Sequence, residues 1–490
     1  MLDRTLAPFA DRTLLILLGV ALLVRLAAIV AFPSLHHPDE NFQLFEQAHR
    51  IAFGYGVVPW EFRDGIRSPV LPYILAGLFR VGEPAFGGPQ GYLLVARVTL
   101  AAVSLAAVAA VYRMGRRESP THGLIVGLVA ATWFELVYFA GRPLTEAVAT
   151  TFLIVALALI SVPPQLLTFR RLLAIGFCLG LCLMLRIHLA PGLLVAAAWA
   201  GRRDLRGRWW PMALGGAVPL LIFGVADWLY WGAPFHSYIA TIRIDLIDGK
   251  ASSFGIETPA YYLELLADSW AGALPVMAAL IVLRGRASAL WIAVALAIIA
   301  SHMAIPHKEY RFVFPAFACL ALVAAMGSAD LIAWLRRLMA PKASGALVAI
   351  AVALWAVTSV ALAFTPGFSD EWFEARDLIE ASFTLAGLPG LCGVLFYDDD
   401  WASTGGYAHL HRNVPIYALS DDQDTAREST AAFDAIVLSR ESIDDFAPQF
   451  ELRGCSGEGA DDDTCIMVRP GTCTPMPELE INRMLRRIGE

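Results

Sequence analysis

The chain has 490 residues, of which 57% are hydrophobic and 17% charged, and its mean hydropathy is +0.59. An ordinary soluble domain carries about 25% charged residues, so a soluble enzyme is excluded. The net charge of −7, with no basic block and no basic stripe interleaved with aromatics, excludes a nucleic-acid binder. The charge is unevenly divided: residues 365–490 carry 24 acidic and 9 basic residues, net −15, which leaves +8 on residues 1–364.

A membrane-crossing helix needs about 20 mostly apolar residues. The first 364 residues divide into about eleven such runs, at 13–32, 91–112, 122–140, 145–162, 171–185, 189–200, 211–231, 269–283, 287–304, 312–334 and 345–364. The fifth and sixth are short and read as a hairpin that does not fully cross. The first is too long, and its flank too poor a cleavage site, for a removed signal peptide, so it is expected as a retained helix. Arg4 and Arg12, then Arg113, Arg116 and Arg117, then Arg170 and Arg171, then Arg202, Arg203, Arg206 and Arg208, then Arg284 and Arg286, and finally Arg336, Arg337 and Lys342 fall in every second connection. The positive-inside rule makes those connections cytoplasmic. It sends 36–90, 141–144, 186–188, 232–268, 305–311 and the acidic tail to the opposite side.

The tail, 365–490, reads as a small α/β domain following a transmembrane domain of residues 1–364. Runs 393–397, 415–419, 434–438 and 465–468 are short, apolar and bounded by Asp, Gly and Ser, as strands are, and 403–411 reads as a helix between the first two. Of seven cysteines, Cys178, Cys182 and Cys319 lie in apolar runs as small apolar side chains. Cys392, Cys455, Cys465 and Cys473 lie in the tail, and an even number in an oxidising compartment implies two disulfides, with three pairings open. No CxxC, HExxH or Cys/His zinc spacing occurs, so no metal or other cofactor is expected. Asp398-Asp399-Asp400 contains an Asp-x-Asp, which after a strand is more often a solvated loop than a metal site.

Chemistry concentrates on the outward side. His36-His37-Pro38-Asp39-Glu40-Asn41-Phe42-Gln43 is followed by Glu46, His49, Gly54-Tyr55-Gly56, Trp60-Glu61 and Arg67-Ser68. Proline at a first helical position and acids in a first turn predict a helix start at Pro38, with Asp39, Gln43 and Glu46 sharing one face. A capped interfacial helix whose acids merely face water is the plain alternative. A second set, Pro306-His307-Lys308-Glu309-Tyr310-Arg311-Phe312, opens the tenth run. His307 and Arg311 are four apart and project to one side of a helix start, where two donors can grip an anion; snorkelling cations are the alternative there. Arg142 with Glu146, Arg186 with His188, and Asp227 add polar groups to the same side, as a site built between helices requires. A carboxylate can take the proton of an attacking hydroxyl while Arg, Lys and His neutralise a departing phosphate. On the outer side of a membrane that phosphate would be lipid-borne.

The run from His37 to Gln43, with Glu46, His49, the Gly54-Tyr55-Gly56 turn, Trp60-Glu61 and Arg67-Ser68, resembles the opening signature of the membrane mannosyltransferases that build GPI anchors and N-glycan precursors from dolichyl-phosphate mannose. His307-Lys308-Glu309-Tyr310-Arg311-Phe312 followed by Pro315 is similar to the same family's second signature, with Tyr310 where an acid is common. The resemblance spans most of the chain. It implies an α-helical polytopic GT-C fold with a lumenal or periplasmic active site, and inverting transfer of mannose from a β-linked polyprenyl phosphate to an acceptor hydroxyl. It implies Asp39, with Glu40 beside it, as the catalytic base, and His307, Lys308 and Arg311 at the donor phosphate. Arg142, Arg186, His37, Gln43, Glu46, His49 and Arg67 complete the expected substrate-binding set. The implied partners are a polyprenyl-phosphate sugar donor, a glycan or glycolipid acceptor and membrane lipid.

Two other functions fit the same residues: a transferase of another hexose or pentose from a polyprenyl phosphate, and a carrier of lipid-linked sugar without chemistry. Three lysines (Lys250, Lys308, Lys342) against 34 arginines, with abundant Ala and Gly, are the composition of a GC-rich bacterial genome. The expected location is then a bacterial inner membrane, with the N-terminus cytoplasmic and the tail periplasmic, or the ER membrane in a eukaryote.

Overall fold

The computed structural model describes residues 11–338, 344–457, 459–460 and 463–489; Arg4 and Lys342 of the charge pattern lie outside them. The chain divides into two compact units, one of Met1–Ala31 and Arg97–Asp370, the other of Phe32–Ala96 and Glu371–Glu490. The expected division at residue 365 lies near the second junction, while Phe32–Ala96, which contains the segment 36–90, clusters with the tail.

The first unit is a helix bundle around Tyr310–Leu338, 94% of whose apolar window is buried. Pro120–Thr132, Thr145–Ile160, Leu274–Arg284 and Ala289–Met303 pack around it. Small residues are interspersed among its larger buried ones: Ala316, Ala318, Ala321, Ala324, Ala325 and Gly327 are all buried. Small residues let helix backbones approach closely in an apolar medium. A Cβ on Gly327 would lie 2.1 Å from the Leu280 carbonyl oxygen. The same device joins Phe169–Leu185 to the helix ending at Trp231, where a Cβ on Gly176 would meet Met212 O at 1.9 Å and one on Gly215 would meet Leu173 O at 2.0 Å.

Every one of the eleven apolar runs is largely helical. Among the described residues, however, six helices are long and apolar enough to cross a membrane, or seven if Pro120–Thr132 and Phe134–Gly141, bent by 55°, form one span. Fewer helices than apolar runs reach that length because several of the runs form short helices, as was expected of the fifth and sixth. Runs 269–283 and 287–304 form the separate helices Leu274–Arg284 and Ala289–Met303, of 11 and 15 residues, joined by a 3-10 turn at Gly285–Ser288, and the chain folds back there, since the rings of Tyr262 and His302 lie 6.5 Å apart. The fourth, fifth and sixth runs form helices of only 16, 17 and 12 residues.

A charge inside an apolar bundle must be met by partners. Arg25, 2% exposed within Arg12–Ala31, donates from Nε to Ser104 Oγ at 2.9 Å, from Nη1 to Ala131 O at 2.8 Å and from Nη2 to Ala130 O at 3.0 Å. Those carbonyls belong to the last turn of Pro120–Thr132, which breaks at Trp133 and leaves them without helical partners. At another set of helix ends Arg284 bonds both oxygens of Asp330 (3.3 and 3.1 Å) and one of Glu118, with His122 Nε2 at 2.9 Å from the same Asp330.

The second unit contains a five-stranded sheet of order β2-β1-β3-β5-β4: β1 (Val394–Phe396), β2 (Ile416–Ala418), β3 (Ala435–Ser439), β4 (Glu451–Cys455) and β5 (Thr464–Val468). β1 pairs in parallel with β2 and β3, and β5 runs antiparallel to β3 and β4. Alternation divides the strands between two cores. Val394, Phe396, Ile416, Ala435 and Val437 face Leu378, Leu385 and Leu485, and Leu395, Tyr417, Ile436 and Leu438 face Phe433, Phe446 and Phe450. Phe42 and Val57, from the segment Phe32–Ala96, belong to the first of these cores.

All four expected strands are present, as is a helix, Gly406–Leu410, in the expected place. β4 was not expected: it is an edge strand whose Glu451, Leu452 and Arg453 are exposed, so it has no apolar face to announce it. The four tail cysteines pair as Cys392–Cys473 and Cys455–Cys465, and Cys455 and Cys465 are register partners on β4 and β5.

The helix crossings yield a stability prediction. Gly215→Val places a branched side chain where only backbone fits, and overpacking of this kind costs about 1–3 kcal/mol or more. A lower melting temperature and poorer recovery of monodisperse detergent-solubilised protein are expected. Gly272→Val, at a position with nothing within 4 Å of its Cβ site, should match the parent.

Candidate active site

In the second unit the helix start lies where the sequence placed it. Pro38 and Asp39 open it, and His37 Nδ1 caps it by accepting the Asp39 N–H at 3.1 Å. Glu40 is fully buried and reaches back to accept the His36 N–H at 3.1 Å, a reciprocal cap. Its carboxylate is thereby committed to the backbone, whereas the Asp39 side chain stays 16% exposed, with Oδ1 3.5 Å from His37 Nδ1.

The next turn, Glu40–Phe45, is π-helical, its Glu46 N–H bonding to Asn41 O. The extra residue in the turn separates side chains that ordinary spacing would align. Gln43 turns to Glu61 and Arg67, donating to Glu61 Oε1 at 3.0 Å and accepting from Arg67 Nε at 2.8 Å. Glu46 turns instead to the tail: Oε1 accepts Val57 N–H (2.6 Å) and Tyr407 N–H (3.2 Å), and Oε2 accepts Ala408 N–H (2.7 Å). Asp39, Gln43 and Glu46 therefore do not share a face. Burial pushes the Glu46 carboxyl up to about 7, against the pull of those three donors. Gly406, at φ +55°, gives Glu46 its room, since a Cβ there would lie 2.7 Å from Oε2.

His49 is also held inside this unit. Burial lowers its imidazole to about 3, so the ring is neutral. Nδ1 lies 3.0 Å from the Tyr55 carbonyl and must donate to it, which leaves Nε2 to accept from His411 Nδ1 at 3.0 Å. Asn482 fastens the adjoining turn, accepting Val58 N–H at 2.8 Å and donating to Gly56 O at 3.1 Å.

Glu61 stands out beside Asp39. Burial and then the Asp39 charge raise its carboxyl above the ordinary range. Its Oε1 takes the Gln43 amide, while Oε2 is buried without a hydrogen-bond partner. Of the two neighbouring carboxyls, Glu61 is the one whose surroundings favour holding a proton. The sequence contained Glu61 inside the opening signature, but nothing local marked it as the neighbour of Asp39.

In the first unit the second signature forms the turn before Tyr310–Leu338. Its His307 and Arg311 do converge, and the anion between them is Glu309: His307 Nε2 lies 2.7 Å from Glu309 Oε1, and Arg311 Nε bonds Glu309 Oε2. That hydrogen bond raises His307 above its ordinary range. Arg311 also lies 3.7 Å from Glu146 Oε1, which Arg186 Nη2 meets at 3.1 Å. Glu146 is thus the buried carboxylate joining two arginines from separate helix ends, with Thr145 Oγ1 donating to its Oε2 at 2.8 Å.

Arg186 lies over the Phe312 ring at 4.8 Å, and Arg142 over the Tyr138 ring at 3.9 Å, favourable placements for a guanidinium. Lys308 is employed differently. Its ammonium donates to the carbonyls of Glu257 (3.1 Å), Ile305 (2.5 Å) and Pro306 (3.3 Å), so its three N–H bonds go to the backbone. Tyr310 donates its hydroxyl to Glu135, which also accepts Trp133 Nε1 at 2.8 Å and Trp270 Nε1 at 3.4 Å.

Two further acids have structural roles. Asp227 accepts both N–H and hydroxyl of Ser237 (2.9 and 2.6 Å). Asp398, the first acid of the Asp-x-Asp, accepts from Ser439 N (2.7 Å), Ser439 Oγ (2.8 Å) and Ser442 Oγ (3.0 Å), clipping the end of β1 to the end of β3.

Comparison with known proteins agrees with this architecture. Residues 16–378 match the Alg9-like mannosyltransferase family. The chain is 26% identical over 414 residues to GPI mannosyltransferase 3 of Yarrowia lipolytica, covering 81% of this chain and 75% of that protein. It is 29% identical over 124 residues to GPI alpha-1,2-mannosyltransferase 3 of Bos taurus, covering 24% and 23%. Among solved structures, ArnT from Cupriavidus metallidurans bound to undecaprenyl phosphate superposes with a TM-score of 0.60 at 13% identity, over 94% of this chain and 99% of that one. The chain belongs to the Alg9-like mannosyltransferase family and is a multi-pass membrane mannosyltransferase with the GT-C fold.

Proposed function

We propose that this mannosyltransferase takes mannose from a polyprenyl-phosphate-linked donor and places it on a hydroxyl of a glycan or glycolipid, on the lumenal or periplasmic side. The observation that carries this reading is the meeting of Arg186, Arg311 and His307 around the buried Glu146 and the partly exposed Glu309 at the start of the central helix. Desolvated cations gathered in a membrane unit mark a place for an anion, and a lipid-borne phosphate is the anion a membrane offers there. The undecaprenyl phosphate bound to a protein of the same fold supports a polyprenyl carrier. The relatives named GPI mannosyltransferase 3 support a glycolipid acceptor, and the alternation of arginine-rich connections supports the outward side.

The chemistry is one displacement. Asp39 takes the proton of the acceptor hydroxyl, the hydroxyl oxygen forms its bond to the anomeric carbon of mannose, and the bond from that carbon to the phosphate oxygen breaks with inversion. Arg186, Arg311 and His307 neutralise the phosphate as it leaves. Glu61 remains protonated and supports Asp39 through Gln43 and Arg67. Glu40 fixes the helix start beneath Asp39, and Glu46 and His49 hold the segment that carries it. Lys308 positions the second signature, and Arg142 lies with the substrate-binding set. Residues 1–364 and 365–490 would then serve as catalytic membrane domain and outward domain, the latter supplying the backbone donors that receive Glu46.

Asp39→Asn should lower transfer by about 10²–10⁴-fold, the usual contribution of a general base, with donor binding retained. Intact movement of lipid-linked sugar with no transfer to lose would instead identify a carrier. Glu61→Gln, which has the shape of the protonated acid, should keep transfer within a few-fold at neutral pH; a loss as deep as that of Asp39→Asn would make Glu61 the base. Lys308→Arg should lower melting temperature together with activity, because a planar guanidinium cannot present three donors to three carbonyls. A variant with unchanged melting temperature and weakened donor binding alone would place Lys308 at the phosphate. Assay with several polyprenyl-phosphate sugars tests the choice of mannose.

A further inference from the structure

In the helical unit the place between His307 and Arg311 is already taken by the chain's own carboxylate. Glu309 Oε1 is 2.7 Å from His307 Nε2, and Oε2 is bonded to Arg311 Nε. His307 is steadied from behind by Gly255 O, 3.2 Å from its Nδ1, which keeps Nε2 towards Glu309. The layers differ in access. The side chains of His307 and Glu309 are each 16% exposed, whereas Arg311 and Glu146 are 4% and 2% exposed. Glu146 is thus the interior counter-ion of Arg311, and Glu309 the one nearer solvent.

A carboxylate and a phosphate ester offer a guanidinium the same pair of oxygen acceptors. Phosphate oxygens on His307 Nε2 and Arg311 Nε would occupy the positions of Glu309 Oε1 and Oε2, and two anions cannot share them. Glu309 lies before the first residue of the helix Tyr310–Leu338, outside regular structure, so rotation about its own side-chain bonds is enough to vacate them.

We infer that Glu309 is a built-in stand-in for the donor's phosphate, which closes the His307–Arg311 pair when no donor is bound and is displaced when the lipid-borne phosphate arrives. This rests on the phosphate role proposed above for these cations. The stand-in keeps the pair neutralised without a ligand and makes every incoming anion compete with a tethered carboxylate. A free anion enters that competition with its single charge site alone, whereas a polyprenyl phosphate adds the burial of its chain in the membrane.

The test is binding of undecaprenyl phosphate, without sugar, to purified full-length protein in nanodiscs. Glu309→Gln removes the competing charge at constant shape; if the carboxylate holds the pair nine-tenths of the time, the Kd should fall roughly tenfold. Arg186→Ala should raise the Kd in parallel. Unchanged or weaker binding in Glu309→Gln, with Arg186→Ala weakened, overturns the stand-in and leaves the phosphate site standing. Unchanged binding in Arg186→Ala overturns the phosphate site itself. Inorganic phosphate should bind either protein far more weakly than undecaprenyl phosphate; equal binding overturns the lipid-borne assignment. On the unsubstituted protein, undecaprenyl phosphate should shift a carboxylate infrared band that isotope-edited difference spectra assign to glutamate. A spectrum without that shift also overturns the proposal, whether or not the variants fold.

Discussion

A charge removed from water must be met by an opposite charge or by oriented dipoles, and the architecture of this enzyme follows from how it meets that demand. The helical unit uses three solutions. Arg25 is neutralised by carbonyl dipoles alone, which exist because the helix Pro120–Thr132 stops at Trp133. Glu135 is held by three neutral donors, two indoles and a phenol. Arg186 and Arg311 are held by Glu146. Of the three, only the last brings two cations from separate helix ends to one carboxylate, which is why it is the one suited to a ligand.

The second unit solves the same problem with backbone. Glu46 reaches three N–H groups, two of them at the start of Gly406–Leu410. The segment bearing Asp39 is therefore tied to the sheet domain by a carboxylate whose partners lie some 360 positions away in the chain. Phe42 and Val57 add apolar burial to that tie. Asp39 in this way rests on a helix start whose neighbours are fixed, although it remains partly exposed itself.

Much of this was legible in the sequence because it is written in local patterns. Apolar runs announced the helices, proline and acids announced the start at Pro38, and short apolar runs between Asp, Gly and Ser announced four strands. β4 was silent because an exposed edge strand needs no apolar face. The convergence of His307 and Arg311 was readable from their spacing, but spacing alone does not show that the anion between them is the motif's own Glu309. Glu46 and His49 read as substrate residues because their histidine, glycine and acid neighbours form a concentrated set. Their partners, Ala408 and His411, are distant in sequence and cannot be paired from composition or periodicity. Lys308 was opaque for a different reason: a lone lysine in a signature looks like a ligand for phosphate, and the three carbonyls around it lie in the fold rather than in the motif.

The discontinuity of the second unit has a consequence for how the protein is made. Residues Phe32–Ala96 emerge early, and their companions, Glu371–Glu490, emerge last, after the intervening helices of the bundle. At about 5–20 residues per second of synthesis, Glu46 waits on the order of tens of seconds before the N–H groups of Tyr407 and Ala408 exist. During that interval the carboxylate must remain hydrated and Phe42 uncovered, so the segment carrying the proposed base cannot take its final form until the bundle is complete. Assembly of this part of the proposed active site is thus timed to the end of translation, and a chain truncated within the sheet would hold its membrane helices while leaving the Asp39 segment unformed.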